Sequence, residues 1–162
     1  MIFDRKRLIS LVAALGAASV VLAPVFAQAP AQSPAKPYID SRKGAYALIG
    51  ANFRPLGAVL KGDKPYEAED VEKRITRLVF LASLLEENFP ELSNVGLPET
   101  KAKADAWTKR EDFIKKLKDF QEDLAALEKV NATEKRGSDA FKTALKTVAQ
   151  DCKSCHDDFR EK

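Results

Sequence analysis

Residues 138–160 read SDAFKTALKTVAQDCKSCHDDFR, and this stretch carries a helical period and a cysteine pair together. Its apolar positions step by four and three residues in alternation, which keeps them on one face of a helix. The members of this stripe are Phe141, Leu145, Val148, Cys152, Cys155 and Phe159. Because such a stripe has to be covered, the segment predicts a helix near 138–160 that packs against other helices.

Three more stripes with the same spacing precede it and predict helices near 39–60, 67–89 and 101–136. Their members are Arg42, Tyr46, Ile49, Phe53, Leu56 and Leu60, then Val71, Ile75, Leu78, Ala82, Leu85 and Phe89, then Phe113, Leu117, Phe120, Leu124 and Leu127. No segment combines a period of two with β-branched residues, so strands are not expected. Short connections favour antiparallel neighbours, and the sequence therefore predicts an all-α, antiparallel four-helix bundle.

Turn-forming residues separate the stripes at 61–65, at 90–98 and at 136–138. The last of these, Arg-Gly-Ser, predicts a basic final turn, a glycine after the helix end and a serine N-cap for the next helix. Pro55 lies inside the first stripe and is expected to kink that helix or end its regular part.

The composition suits a globular chain with both signs of charge. Of 162 residues, 45% are hydrophobic and 31% are charged, and 27 Lys+Arg stand against 24 Asp+Glu for a net charge of +3. This balance has no basic stripe of the kind that binds nucleic acid, so no nucleic-acid partner is expected. Charged runs such as Lys115-Lys116 and Lys118-Asp119 are interpreted as a solvated outer face of the third helix.

The first 27 residues are typical of a secretory signal. Basic residues at 5–7 precede an uncharged run over 8–23, and small residues follow. The run is shorter than the about 20 residues of a spanning helix. We therefore expect export to the periplasm with cleavage after Ala27, and no stable membrane insertion afterwards. Residues 28–38, rich in Pro, Ala and Gln, are predicted to be a disordered lead-in, and 39–162 the bundle.

Cys152, Cys155 and His156 form a C-x-x-C-H motif, the spacing of c-type haem attachment. Two thiols three residues apart share a helix face and can form thioethers with the two haem vinyl groups, while the next imidazole can bind the iron axially. Both cysteines belong to the apolar stripe, so one covalently attached haem c would be directed into the bundle core. Three alternatives explain the motif less well. A redox-active cysteine pair is expected in a thioredoxin-like fold, and a disulfide within the helix would leave His156 unexplained. A structural zinc site needs four ligands, and one histidine with two cysteines supplies only three.

Few residues remain for the second axial position of the iron. His156 is the single histidine, and the single methionine, Met1, belongs to the segment expected to be removed. A lysine ligand is possible in principle, but a buried neutral lysine is costly. We therefore expect a five-coordinate, high-spin iron with His156 as its protein ligand.

The sequence resembles the cytochrome c′ family, the high-spin class II cytochromes c. The resemblance rests on C-K-S-C-H-D-D-F-R at 152–160, near the C-terminal end, and on R-x-x-x-Y-x-x-x-x-x-N-F at 42–53. Pro65-Tyr66 and the Ala-x-x-Trp at 104–107 support it, and the similarity extends from about Ser41 onward. It implies a haem-carrying four-helix bundle that is often a homodimer through its first two helices.

Three further residues are candidates for the haem pocket. The resemblance places the residue four after the first helix's arginine over the iron, and here that is Tyr46. We expect it to plug the distal side, although a plain core tyrosine would show the same spacing. Arg42 suits a haem propionate, with a solvated surface arginine as the alternative. Arg160 either shapes the proximal pocket, as the resemblance suggests, or is a favourable charge at a helix end.

The resemblance implies a periplasmic monohaem protein that binds small diatomic gases, nitric oxide foremost and carbon monoxide as well. The alternative is a one-electron carrier of the low-spin class II type, which serves a periplasmic or membrane redox partner of unknown identity. A carrier benefits from an iron with both axial positions filled, and this chain does not supply the second ligand. An enzyme is not expected, because no acid–base pair and no second histidine accompany the predicted distal face.

Overall fold

The computed structural model describes residues 33–162. The predicted signal segment 1–27 and the first part of the predicted lead-in, 28–32, lie outside the described residues. The helices are α1 (Lys36–Lys61), α2 (Ala68–Ser83), α3 (Asp105–Thr108), α4 (Arg110–Glu134) and α5 (Asp139–Phe159). Because α3 is a single turn, four long helices form a bundle, and the predicted all-α fold is confirmed. No helix within 33–162 has the length and apolar character that crossing a membrane requires.

The first helix begins three residues earlier than predicted. Pro37 occupies one of its first two positions, where the N–H that proline lacks has no partner inside a helix. Residues 36–38, assigned to the disordered lead-in, are therefore helical, which corrects that boundary. The helix also continues through Pro55 to Lys61, so the proline does not end it. Gly62 then closes it with a φ of 82°.

The second helix ends earlier than predicted because its last residues change their hydrogen-bonding pattern. Ser83 Oγ donates to the carbonyl of Phe80 at 2.7 Å, an alternative to the helical ladder. The amides of Leu84 and Leu85 then bond to carbonyls three residues back, and a 3₁₀ turn follows at Glu86–Asn88. A second 3₁₀ turn occupies Glu91–Ser93.

The predicted helix 101–136 is wrong in its first part. Residues 101–103 run alongside the end of α5, where Lys103 N donates to the carbonyl of Phe159 at 2.9 Å. The chain turns once in α3, breaks at Lys109 with φ −111° and ψ 49°, and then forms α4. The apolar stripe of this region starts only at Phe113, so periodicity supported α4 and not the residues before it.

The turn between α4 and α5 contains the predicted N-cap but not the predicted glycine cap. Ser138 Oγ accepts the Phe141 amide at 3.1 Å, as expected of an N-cap serine. However, Lys135 adopts the left-handed conformation after α4, with φ 46°, and Gly137 does not have a positive φ. A Cβ on Gly137 would lie 3.3 Å from Tyr66 Cβ, so a larger residue there would crowd Tyr66.

The four long helices pack in the cyclic order α1, α2, α4 and α5, each against the previous one and the last against the first. Contacts between the start of one helix and the end of its neighbour show antiparallel directions; the pairs are Arg42 with Asn88, Tyr66 with Asn131, and Lys116 with Ser154. The α1–α5 contact is the smallest of the four. We call it the α1–α5 seam.

Candidate functional site

The C-x-x-C-H motif lies in the last two turns of α5. Cys152 and Cys155 are free thiols, are half-buried and pack against the apolar core, so the stripe directs them inward as predicted. Burial raises the pKa of each thiol to about 11. Before haem is attached, both thiols are therefore protonated at neutral pH, and each can add to a haem vinyl group to form a thioether.

His156 follows the second cysteine and is exposed on the bundle surface. Although the residue is largely exposed, partial desolvation of its ring, together with the nearby positive charge of Arg160, lowers the pKa of the imidazole. The neutral imidazole is the form that binds a metal. On a helix with 3.6 residues per turn, His156 lies about 100° from Cys155 and about 40° from Cys152, so the three side chains share one face of α5.

Tyr46 faces this motif from α1, across the seam. It is half-buried and packs against the same core cluster as the two cysteines. Burial raises the pKa of its hydroxyl above the ordinary value, and Cys155 and Cys152 raise it further because both thiols lie close by. The structure therefore brings Tyr46 and the C-x-x-C pair together and keeps the phenol protonated.

Arg42 is only 3% exposed and lies one turn before Tyr46. Its guanidinium donates to the carbonyl of Asn88 at 3.1 Å, to Ser93 Oγ at 3.3 Å and to Thr100 Oγ1 at 3.0 Å. The rings of Phe89 and Trp107 lie against it, with centroids 4.5 and 5.4 Å from Cζ. These contacts exclude the alternative of a solvated surface arginine.

The surroundings of Arg42 leave its charge without an anion. None of the ion pairs within 33–162 includes Arg42, and its buried Nε has no hydrogen-bond partner. Burial lowers the pKa of this guanidinium, a sign that the cation is poorly compensated. An acidic group such as a haem propionate would supply both the missing charge and the missing acceptor, so the residues present fit the group.

Arg160 is the residue that ends α5 rather than a member of the helix. Its φ of −123° and ψ of 132° are extended, and it pairs with Ala102 in an isolated bridge. The helix therefore stops at Phe159, one residue before the predicted end, because Arg160 forms this bridge instead of continuing the helix. The positive charge of Arg160 still acts on the pKa of His156. The Arg160 charge therefore lies near His156.

Several contributors to the site have no signal in the sequence. The partners of Arg42 lie 46, 51 and 58 residues from it, in a stretch without periodicity. Lys116, interpreted as part of a solvated face, instead reaches α5: its Nζ donates to Ser154 Oγ at 2.7 Å and lies 3.1 Å from Asp158 Oδ2. Its neighbour Lys115 is 72% exposed, as expected.

A four-helix bundle whose last helix carries C-x-x-C-H, with both cysteines against the core, defines a class, the c-type haem proteins built on helical bundles. The profile of the family described as cytochrome C′ matches residues 37–160. The chain belongs to the cytochrome c′ family, as the resemblance predicted, and haem c is its cofactor.

Individual relatives agree with this assignment. A cytochrome c′ from Cereibacter sphaeroides is 34% identical over 148 residues, which cover 88% of this chain and 97% of the relative. Cytochrome c prime from Shewanella frigidimarina superposes with a TM-score of 0.72 at 32% identity, over 81% of this chain and 99% of that one.

Two ligand-bound structures of cytochrome c prime from Alcaligenes xylosoxidans, both of variants, are also similar. The carbon monoxide-bound form has a TM-score of 0.70 at 26% identity, over 79% of this chain and 97% of that one. The nitric oxide complex has a TM-score of 0.71 at 25% identity, with the same coverage.

Proposed function

We propose that the protein is a periplasmic monohaem cytochrome whose high-spin iron, bound by His156 alone, takes up nitric oxide and carbon monoxide. The observation that supports it most directly is the ligand count. Residues 28–162 contain one histidine and no methionine, so the strong neutral ligands that fill a second axial position are missing. The nitric oxide and carbon monoxide complexes of the Alcaligenes xylosoxidans protein support the choice of gases.

Each site residue has a role in this proposal. Cys152 and Cys155 bind the haem covalently, and His156 binds the iron from the proximal side. Arg42 pairs with a propionate through its unpartnered Nε, and Arg160 adjusts the imidazole through its charge. The bound haem supplies the iron to which the gas adds, while the chain holds the haem and controls access to it.

Tyr46 is proposed to cover the distal side of the iron. Its position across the seam from both cysteines supports this placement. The raised pKa disfavours a phenolate ligand, so the ring acts as a bulky plug that an incoming gas must push aside. The free energy of moving the ring is subtracted from the free energy of gas binding.

Spectroscopy of the purified holoprotein tests the coordination. We expect ferric and ferrous forms that are both high-spin at pH 7, read by electron paramagnetic resonance and by absorption. A ferric spectrum dominated by a low-spin signal would contradict the proposal. It would favour the alternative, a one-electron carrier with a sixth ligand from the chain.

Carbon monoxide titration tests the plug, because this gas binds on the distal side. Tyr46→Ala is expected to bind it faster and more tightly, with about tenfold in affinity for each 1.4 kcal/mol of relieved displacement. Tyr46→Phe removes the hydroxyl and keeps the bulk, so it should stay near wild type. Unchanged affinity in the alanine variant would assign Tyr46 to core packing alone.

Intact mass spectrometry tests attachment and export. Periplasmic material should have the mass of residues 28–162 plus one haem, with no free thiol. Cys155→Ala should leave at most a single thioether and a poorly matured protein. Haem that acidified acetone extracts would contradict covalent attachment, and a retained segment 1–27 would contradict cleavage.

The proposal includes a homodimer through α1 and α2, supported by two exposed apolar residues. Leu48 is 54% exposed and Phe80 63% exposed. Arg42 on α1 contacts Asn88 in the 3₁₀ turn that follows α2. Leu48 lies six residues after Arg42 and Phe80 eight residues before Asn88, so the two side chains lie at a similar level of these antiparallel helices. Apolar side chains at one level of a helix pair suit an interface with a second copy.

Sedimentation of the holoprotein tests the dimer. The wild type is expected to be dimeric at micromolar concentration, and Phe80→Glu should be monomeric because it buries a charge in the interface. Leu92→Glu is the matched control, since Leu92 is 48% exposed but lies outside both helices. A monomeric wild type, or equal effects of the two substitutions, would contradict this interface.

A further inference from the structure

Lys116 holds the face of α5 that lies opposite His156. Its Nζ donates to Ser154 Oγ at 2.7 Å and pairs with Asp158 Oδ2 at 3.1 Å. Ser154 lies two residues before the histidine and Asp158 two residues after it. At 100° per residue, each is about 160° from His156 and about 40° from the other, on the back of the haem-facing surface.

This contact is partly sheltered from solvent. The Lys116 side chain is 27% exposed, and its charge acts on the pKa of both Cys155 and Asp151. By contrast, Lys115 is 72% exposed and pairs with Asp119 on its own helix. Two adjacent lysines therefore carry the same charge, but only one of them joins α4 to the segment that carries the haem.

The end of α5 beyond the histidine is held by polar and aromatic contacts, whereas the two cysteines before the histidine pack against the apolar core. The ring of Phe159 packs edge-on against Phe113 at 5.2 Å, and the carbonyl of Phe159 accepts the Lys103 amide. Lys103 Nζ also donates to the carbonyl of Asp157 at 3.1 Å. Lys116 is the side chain that extends this hold back to Ser154, between the two cysteines.

We propose that Lys116 is a positioning residue for the proximal ligand: by fastening the back of the haem-carrying turn to α4, it limits how readily His156 leaves the iron. The inference rests on the proposed function in taking His156 as the axial ligand. An imidazole can depart only if its side chain rotates or its helical turn moves, and the bonds to Ser154 and Asp158 oppose movement of the turn. A hydrogen bond to a charged group is strong enough to change such a rate about tenfold.

The test measures the rate at which saturating nitric oxide displaces His156 from the ferrous holoprotein. Lys116→Met is expected to raise this rate about tenfold, and Lys115→Met, with the same loss of charge, should stay within about twofold of wild type. Lys116→Arg keeps the charge and the donors and should restore most of the restraint. Equal rates in the Lys116→Met and Lys115→Met proteins would overturn the proposal.

A second pair of variants separates positioning from a charge effect. Asp158→Asn removes a negative charge and Lys116→Met a positive one, so a purely electrostatic role would move the displacement rate in opposite directions. Positioning predicts that both substitutions, and Ser154→Ala, raise it. Faster amide hydrogen exchange over 154–158 should accompany the increase in Lys116→Met, and unchanged exchange there would also overturn the proposal.

The proposed function is checked first on the wild type. The iron–histidine vibration in the ferrous resonance Raman spectrum reports whether His156 is bound at all. If that band is missing, the proposed function fails. If it is present and the variants behave alike, only the role of Lys116 fails.

Discussion

Replacing Asp151 with asparagine is expected to stabilise the protein above pH 6 and to change its stability little at pH 4. Asp151 on α5 faces Asp123 on α4, and its Oδ2 is buried. Burial, then a hydrogen bond to Asp123 and the charges of Asp123 and Asp119, raise the pKa of Asp151 from 3.8 to about 6; the charge of Lys116 opposes this. The folded protein therefore favours the neutral form of Asp151.

The sign and size of the effect follow from the raised pKa. A carboxyl group whose pKa is higher in the folded than in the unfolded state stabilises the fold below its unfolded pKa, and this contribution is lost as the pH rises through about 6. The rise from 3.8 to about 6 corresponds to at most about 3 kcal/mol. Solvent near the half-buried Asp151 reduces this to about 1–2 kcal/mol.

The assay is urea unfolding of the wild-type and Asp151→Asn holoproteins, monitored by circular dichroism at a series of pH values from 4 to 8. The free energy of unfolding of the variant should exceed that of wild type by about 1–2 kcal/mol at pH 7.5, and the difference should vanish near pH 4. Asp70→Asn is a control with the opposite expected change in the free energy of unfolding. A hydrogen bond from Arg74 lowers the pKa of Asp70, so loss of this carboxylate should destabilise the protein at neutral pH. A difference between wild type and Asp151→Asn that does not vary with pH would refute the reasoning.

Three further substitutions test the packing around the site, each by the free energy of unfolding in urea. Arg42→Met should cost about 2–4 kcal/mol, because three buried acceptors lose a charged donor, and a cost below 1 kcal/mol would contradict this account. Ser138→Ala should cost about 1 kcal/mol through loss of the N-cap, whereas Ser138→Asp should preserve stability. Gly137→Ala should cost about 1–3 kcal/mol because its Cβ would crowd Tyr66, and a stabilised variant would show that the ring moves away freely.

The sequence was informative where structure depends on local spacing. The alternation of four and three predicted the four long helices because each must bury one face, and Ser138 marked the start of α5 because capping is local chemistry. The same rules failed over 101–104, where the backbone bonds to the end of α5 instead of forming a helix. They also misplaced the left-handed residue after α4, which is Lys135 and not Gly137. Gly137 instead packs closely against Tyr66, which belongs to a distant segment of the chain.

The candidate site divides in the same way. Cys152, Cys155 and His156 form a five-residue motif whose chemistry sets its spacing, so their place on one face of α5 was predictable. The environment of Arg42 depends on neighbours far away in the chain, and no periodic pattern announces them. Lys116 differs from Lys115 because it faces α5, and this contact exists only once α4 and α5 pack together.

The α1–α5 seam also has an evolutionary consequence. The residues for haem attachment lie on α5 and Tyr46 lies on α1, and these two helices share the smallest contact in the bundle. In the proposed arrangement, a change at position 46 alters the side chain that meets the gas and leaves the C-x-x-C-H segment, where the haem is attached, unchanged. Gas reactivity can therefore vary through α1 while the requirements of haem attachment remain fixed on α5.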